Sequence, residues 1–175
     1  FTHNVVHQFE NFDDVACDNY NEIDEKKLNK SKVIVFSPGP GAPKDYPISS
    51  GIYKRFKGKK KIIGICLGFQ QILHCEKGEI IEQKKIYHGY QSKIKVTSDN
   101  SLFQKNRKFN VGRYHSLKLK EPFAAKNFEI TMRCAISNVA MAIENNNEKI
   151  YGFQFHPESF LTENGNLLIK KILSA

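Results

Sequence analysis

Three short runs of consecutive apolar residues mark the chain: KVIVF at 32–36, KIIGIC at 61–66 and IYGFQF at 150–155. Runs of this length, rich in isoleucine and valine, predict strands that are buried on both faces. Glycine or proline follows each run closely, and these residues interrupt regular structure. The pattern therefore predicts three buried strands of one sheet.

Apolar positions at helical spacing predict helices at 2–11, 69–75 and 166–173. Alternating β-branched residues at 80–97 and 128–144 predict further strands, paired as hairpins. Strands that alternate with helices predict an α/β sheet with helices on both faces, and the alternating segments predict an antiparallel insertion. At 175 residues, the chain is predicted to form a single domain, residues 1–175.

The charge of the chain raises the question of nucleic acid, because 27 Lys and Arg stand against 18 Asp and Glu, a net +9. Only four of the basic residues are arginine, which base reading and bidentate phosphate contacts favour. The densest lysine run, 57–61, precedes a strand and is predicted to be a solvated turn. We therefore expect no nucleic-acid partner.

No apolar run approaches the ~20 residues of a membrane span, and the first ten residues lack the pattern of a signal peptide. We therefore expect a cytoplasmic protein that does not contact a membrane. None of the four cysteines belongs to a Cys-x-x-Cys pair, so no zinc site or thioredoxin-like chemistry is predicted. In the cytoplasm these cysteines would be free thiols.

The pentapeptide Gly64-Ile65-Cys66-Leu67-Gly68 lies between a predicted strand and a predicted helix. It is the thiol counterpart of the Gly-x-Ser-x-Gly nucleophile turn. Its glycines suit a nucleophile held at strained backbone angles in a tightly packed turn. The helix N-terminus beside the sulfur would favour the thiolate. The alternative interpretation is a core cysteine flanked by glycines.

A possible base follows the last predicted strand, in the segment His156-Pro157-Glu158. A thiol nucleophile needs a base, and the imidazole needs a third group that fixes its tautomer. His156 and Glu158 supply both within three residues, although a histidine at a strand end is by itself more often structural. With the Cys66 turn also present, the two segments predict a Cys-His-Glu triad at the carboxyl edge of the sheet.

Two further polar segments accompany these motifs. The loop SPGPGAP at 37–43 exposes N–H groups that could bind an oxyanion or a carboxylate, and it lacks the ending of a phosphate loop. The segment RYHSL at 113–117 contains a second histidine and is expected to be a structural patch.

The motifs GICLGFQ, FSPGPGAP, RYHSL and GFQFHPESFLTENG resemble the triad-type, class I glutamine amidotransferases. Within that family they are most similar to the glutaminase subunits of two chorismate-using enzymes, anthranilate synthase and aminodeoxychorismate synthase. The resemblance runs from Phe1 to the C-terminal helix. It implies a three-layer, flavodoxin-like, mostly parallel sheet, and it implies that the family's first strand precedes Phe1.

The resemblance also implies roles for individual residues. Cys66 would be the nucleophile, His156 the general base and acid, and Glu158 its orienting partner. The positions that match glutamine-binding or oxyanion residues of the family are Gly39, Pro40, Gly41, Leu67, Gln70, Ser116 and Leu117. His88 and Gly89 match a family pair that we expect at the synthase interface.

The implied substrate is L-glutamine, and the implied partner is a chorismate-binding synthase subunit that receives ammonia. No cofactor is implied in this chain, because Mg²⁺ is expected only in the partner. One departure is Phe69, where the family usually has histidine. Since this position is outside the triad, we expect activity to survive with altered packing of the pocket.

Several functions remain open at this point. The favoured acceptor enzyme is anthranilate synthase, and aminodeoxychorismate synthase, or service to both, is the alternative. A γ-glutamyl hydrolase or peptidase could use the same triad without a partner. A non-catalytic binding or redox-sensing domain would merely keep the cysteine.

Overall fold

The structure, a computed structural model, describes residues 1–175. Its helices are α1 (Thr2–Glu10), α2 (Glu25–Lys30), α3 (Pro47–Phe56), α4 (Leu67–Cys75) and α5 (Gly165–Ser174), with a 3-10 turn at Pro43–Asp45. Its strands are β1 (Val33–Phe36), β2 (Lys61–Ile65), β3 (Ile80–Glu82), β4 (Tyr90–Val96), β5 (Lys108–Arg113), β6 (Leu117–Leu119), β7 (Glu129–Cys134), β8 (Ala140–Asn145) and β9 (Ile150–Phe153).

Seven strands form one sheet in the order β1-β2-β9-β8-β7-β4-β5. The strands β1, β2 and β9 are parallel, and they are the three that the apolar runs predict. The remaining four extend the sheet with antiparallel pairing. β3 and β6 form a separate two-stranded sheet. The α/β class with an antiparallel insertion is thus confirmed, and the parallel strands carry both predicted catalytic segments.

Helices cover both faces of the sheet, and alternate residues of the strands face opposite layers. Ile63 and Ile65 pack into one hydrophobic cluster with α1 and α5, whereas Ile62 packs into a second cluster with α3 and α4. This alternation follows from the two-residue repeat of a strand. It explains why a strand between two helical layers is apolar at consecutive positions.

Pairing of the predicted hairpins differs from the prediction in one case. β7 and β8 pair with each other as a hairpin. The segment 80–97, however, is not a hairpin, because β3 pairs with β6 while β4 pairs with β5 and β7. Closeness in sequence does not reveal this pairing, because β3 and β4 join different sheets and each pairs with a strand farther along the chain. The sequence patterns also missed α2, α3, β5 and β6.

The lysine run at 57–61 forms a turn before β2, as predicted, with Lys59 exposed, and two of its lysines also bind the ends of helices. The Lys61 ammonium donates to the carbonyls of Ile172, Leu173 and Ala175 at 2.7–2.8 Å. The Lys60 ammonium likewise donates to carbonyls at the end of α2. The last carbonyls of a helix lack partners and carry partial negative charge, so both lysines cap helices.

No helix is both long and apolar enough to cross a membrane.

Candidate active site

Cys66 occupies the turn between β2 and α4, with φ 53° and ψ −101°. Positive φ is costly for a residue with a side chain, so this turn is strained as the motif predicts. The two glycines allow it: a Cβ on Gly64 would lie 2.4 Å from the Gly68 carbonyl oxygen, and one on Gly68 would lie 2.0 Å from the Phe36 carbonyl oxygen. The turn is therefore possible only with glycine at both positions.

The Cys66 sulfur lies in a nearly closed environment. The Cys66 N–H donates to the Phe153 carbonyl at 2.8 Å, and the Gln154 side-chain amide donates to Sγ at 3.8 Å. Burial raises the pKa of the Cys66 thiol to about 12, which outweighs the opposing effect of the Leu67 N–H and the Gln154 amide. The helix N-terminus does favour the thiolate through the Leu67 N–H, but burial is the larger effect, so the thiol is the favoured form in the free chain.

His156 and Glu158 form a buried hydrogen bond, 2.6 Å from Nδ1 to Oε1, with side chains only 2% and 1% exposed. A carboxylate can only accept, so in the neutral imidazole Nδ1 carries the proton and Nε2 keeps its lone pair. Nε2 is buried and makes no hydrogen bond within the chain. No hydrogen bond joins it to Cys66, whose sulfur contacts Gln154 instead. The imidazole is thus oriented as a base with its reactive nitrogen unused.

Two aromatic rings enclose the His156 imidazole. The ring of Phe1 lies 4.6 Å from it and the ring of Tyr114 lies 5.0 Å from it, centroid to centroid. The Tyr114 hydroxyl is also within 3.1 Å of Ser159 Oγ. The rings restrict rotation of the imidazole and exclude water from its faces, which strengthens the bond to Glu158.

The backbone around His156 is fixed from three sides. The His156 N–H donates to the Gly112 carbonyl at 3.0 Å, and the Thr162 hydroxyl donates to the His156 carbonyl at 2.5 Å. The Gln8 amide of α1 donates to the Pro157 carbonyl at 2.9 Å. The backbone of the His156 segment is therefore held by β5, by Thr162 six residues further along the chain and by α1.

The loop at Gly39–Gly41 approaches the start of α4, since a Cβ on Gly39 would lie 2.9 Å from a Leu67 side-chain carbon. The Tyr46 hydroxyl donates to the Pro40 carbonyl at 2.8 Å, which fixes the loop. The N–H groups of Gly39 and Gly41 donate to no acceptor within the chain. The structure thus brings the predicted loop to the Cys66 turn with free donors.

Of the other predicted residues, Gln70 and Leu117 lie together and Ser116 is exposed beside them. The Gln70 amide donates to the Leu117 carbonyl at 3.4 Å and to Gln154 Oε1 at 3.0 Å. All ten predicted positions therefore belong to the Cys66 turn, the His156 segment or the loops and amides next to them.

The family model described as glutamine amidotransferase class-I matches residues 1–175. The chain belongs to this family. A relative in Lactococcus lactis described as anthranilate synthase component 2 is 38% identical over 99% of this chain and 89% of its own length. A protein of the same description in Buchnera aphidicola is 34% identical over 99% of this chain and 90% of its own length.

The class I glutamine amidotransferase fold also has solved neighbours. One is the crystal structure of a candidate GMP synthase component from Thermoplasma acidophilum. It matches with a TM-score of 0.83 over 99% of this chain and 87% of that chain, at 20% identity. At that identity the likeness shows the fold alone.

A second histidine, His115, has a structural role, as we expected for the RYHSL segment at 113–117. Its Nδ1 lies 2.8 Å from the Leu117 carbonyl, and the Arg113 Nε–H donates to its Nε2 at 3.0 Å. Burial, and then the charge of Arg113, lower its pKa to about 3. It is therefore neutral at physiological pH and supports Leu117 without acting as an acid or base.

Phe69, the departure from the family pattern, is fully buried in the cluster between α4 and the sheet. It lies in contact with Gly152, whose Cβ would stand 3.0 Å from its ring. It packs in a different cluster from Cys66. The substitution therefore changes core packing beneath α4.

Three residues of the site were missed by sequence reasoning: Gln154, Gln8 and Thr162. The sequence does contain a sign of Gln154, because it is the one amide side chain in the apolar run at 150–155. A polar side chain buried in such a run needs a hydrogen-bond partner. Nothing in the sequence points to Gln8 or Thr162. Gln8 donates to the carbonyl of Pro157, which is remote in sequence, and Thr162 donates to the carbonyl of His156 from within a loop. No group of three or more His, Cys, Asp or Glu side chains is arranged to hold a metal ion.

Proposed function

We propose that this chain is the glutaminase subunit of an anthranilate synthase, with Cys66, His156 and Glu158 as its triad. The observation that carries the proposal is the buried 2.6 Å bond between His156 and Glu158, which leaves Nε2 unpartnered two residues after Gln154, whose amide contacts the Cys66 sulfur. The descriptions of the relatives, component 2 of anthranilate synthase, supply the pathway of tryptophan synthesis.

In the first half-reaction, His156 Nε2 takes the proton of the Cys66 thiol and the sulfur attacks the side-chain amide carbon of glutamine. His156 returns that proton to the leaving nitrogen as the carbon–nitrogen bond breaks, so ammonia departs and a γ-glutamyl thioester remains. Because burial disfavours the free thiolate, His156 would take the proton as the sulfur attacks.

In the second half-reaction, His156 takes a proton from water, and the resulting hydroxide attacks the thioester carbon. The carbon–sulfur bond breaks, the proton returns to Cys66, and glutamate leaves. Glu158 stabilises the imidazolium that forms in both steps, since its carboxylate faces Nδ1.

The negative oxygen of each tetrahedral intermediate needs donors that are already in place. The N–H of Leu67, at the start of α4, and the free N–H groups of Gly39 and Gly41 fit this role. Loss of one such donor typically costs about 3–4 kcal/mol of transition-state stabilisation. The loop hydrogen bond from Tyr46 to Pro40 would keep the glycine donors in position.

Ammonia is nucleophilic only while unprotonated, so the proposed partner is a chorismate-binding subunit that receives it away from bulk water. Any Mg²⁺ requirement would belong to that subunit. The rim of the site is exposed and apolar, with Phe1 56% and Phe160 91% exposed, and exposed His88 lies 6.4 Å from the Tyr114 ring. The free cysteines suit a cytoplasmic location.

Reconstitution tests the proposal. The chain is mixed separately with the anthranilate and aminodeoxychorismate synthase subunits of its source, with chorismate, Mg²⁺ and glutamine. We expect anthranilate from the first mixture, and loss of it in Cys66→Ser while added ammonium still supports synthesis. Glutamine-dependent product from the second mixture alone would move the chain to the other enzyme. Rapid hydrolysis of γ-glutamyl peptides without a partner would favour a hydrolase, and retained glutamine use by Cys66→Ser would refute the triad.

A further inference from the structure

Two buried glutamine side chains, Gln70 and Gln154, join the Leu117 carbonyl to the Cys66 sulfur. The Gln70 amide nitrogen donates to the Leu117 carbonyl at 3.4 Å and to Gln154 Oε1 at 3.0 Å. The Gln154 nitrogen then donates to Cys66 Sγ at 3.8 Å. Gln154 is fully buried and Gln70 is 3% exposed. The contacts therefore form one network, whose Gln70–Gln154 and Gln154–Cys66 members are buried.

The direction of this network is fixed by its first member. A backbone carbonyl can only accept, so Gln70 must present its NH₂ group to Leu117. That same NH₂ group meets Gln154, which must therefore present its oxygen to Gln70. Its own NH₂ group is left facing the sulfur. The Leu117 carbonyl thus determines that Gln154 acts toward Cys66 as a donor.

We propose that Gln154 is a positioning residue that holds the Cys66 sulfur in place and stabilises its negative charge as the thiolate forms. The inference rests on the proposed role of Cys66 as nucleophile. Gln154 contacts neither His156 nor Glu158 through its side chain, so it acts through the sulfur.

The surroundings of the sulfur explain why one donor matters. Burial and the charge of Glu158 both oppose a negative sulfur, and only the Leu67 N–H and the Gln154 amide favour it. The Leu67 N–H is also the proposed oxyanion donor. As the charge moves from the attacking sulfur to the oxygen, the Leu67 N–H is drawn to that oxygen, and Gln154 is the donor that stays with the sulfur.

Alkylation of Cys66 by iodoacetamide, followed by peptide mass spectrometry from pH 7 to 10, tests the inference in the whole chain. Only the thiolate reacts, so the rate measures how well it is stabilised. We expect Gln154→Leu to react about tenfold more slowly than wild type at each pH, the loss of one hydrogen bond to a charged group. Gln154→Glu, which places a carboxylate beside the sulfur, should react more slowly still. The exposed Cys17 serves as the internal reference.

The chain offers a matched control in Gln71, a neighbour on α4 that is 2% exposed and donates to the sulfur of Cys75 at 3.8 Å. We expect Gln71→Leu to leave the Cys66 rate within twofold of wild type. Equal slowing by Gln71→Leu and Gln154→Leu would overturn the inference, because general loosening would then explain both. An unchanged rate in folded Gln154→Leu would also overturn it. If Gln154→Leu does not fold, Gln70→Leu replaces it, because it removes the hydrogen bond that orients Gln154. Slower alkylation of Cys66 in Gln70→Leu would then support the inference, and an unchanged rate would overturn it.

Glutamine kinetics separate this inference from the proposed function. If both hold, Gln154→Leu lowers kcat about tenfold or more and changes KM by less than threefold, since the bond matters when the thiolate forms. If wild type does not hydrolyse glutamine with any partner while Gln154→Leu still slows alkylation, the proposed function fails and the positioning role stands. Normal hydrolysis in Gln154→Leu overturns the positioning role alone.

Discussion

Acid should destabilise the protein through one buried histidine. His115 is 4% exposed and lies between the Arg113 guanidinium and the Leu117 carbonyl. Burial, followed by the charge of Arg113, lowers its pKa from 6.5 to about 3. Protonation would place two positive groups in contact and would remove the acceptor that Arg113 uses. The perturbation we consider is His115→Gln, which keeps a donor and an acceptor but does not titrate.

The magnitude follows from the difference between the two pKa values. Because the folded value lies below the unfolded value, the contribution is fully present above pH 6.5 and is lost as pH falls toward 3. Between pH 7.5 and pH 5 the unfolded chain takes up the proton and the folded chain does not. The free energy of unfolding should fall by about 2 kcal/mol over this interval from His115 alone.

Urea unfolding followed by circular dichroism at pH 7.5, 6.5, 5.5 and 5.0 measures this effect in wild type and in His115→Gln. The variant should lose about 2 kcal/mol less than wild type between the two ends of the series. Each protein is compared with its own unfolding free energy at pH 7.5, so that any destabilisation by the substitution itself cancels. Parallel pH profiles for the two proteins would refute the reasoning, because His115 would then titrate alike in the folded and unfolded chains.

Three further substitutions test contacts around the site and the fold. Gln8→Met should reduce kcat and lower unfolding free energy by about 1–2 kcal/mol, because the buried Pro157 carbonyl loses its donor; kinetics and urea unfolding check this. Gly68→Ala should yield little soluble, folded protein in an expression and gel-filtration test, since its Cβ would lie 2.0 Å from the Phe36 carbonyl oxygen. Lys61→Met should lower the melting temperature by several degrees in a thermal scan, because the last carbonyls of α5 lose their cap; an unchanged melting temperature would contradict that role.

The fold was predictable where one physical rule controlled a segment. The apolar runs gave β1, β2 and β9 because strands between two helical layers must be apolar on both sides. The Cys66 turn was predictable because strained backbone and close packing demand glycine at fixed positions. In both cases the constraint acts on neighbouring residues and is visible in a short stretch of sequence.

The rest depended on distant partners. The pairing of β3 with β6 and the capping of α5 by Lys61 join residues about 40 and more than 100 positions apart, and nothing local specifies either. The raised pKa of the Cys66 thiol was not predictable either, because a pentapeptide reveals the helix N-terminus but not how completely the fold buries the thiol. Burial is a property of the whole structure, so its effect on pKa could not be inferred from the motif.

Transfer of the glutamine amide nitrogen is the central claim, and an isotope experiment tests it most directly. The chain and its anthranilate synthase partner receive chorismate and glutamine labelled with ¹⁵N in the side-chain amide, in the presence of unlabelled ammonium. Mass spectrometry of the aromatic product should show anthranilate that carries ¹⁵N, and no label should be transferred by Cys66→Ser. Product that carries only unlabelled nitrogen with the wild-type chain would contradict the account, because the amide nitrogen would then not reach the acceptor.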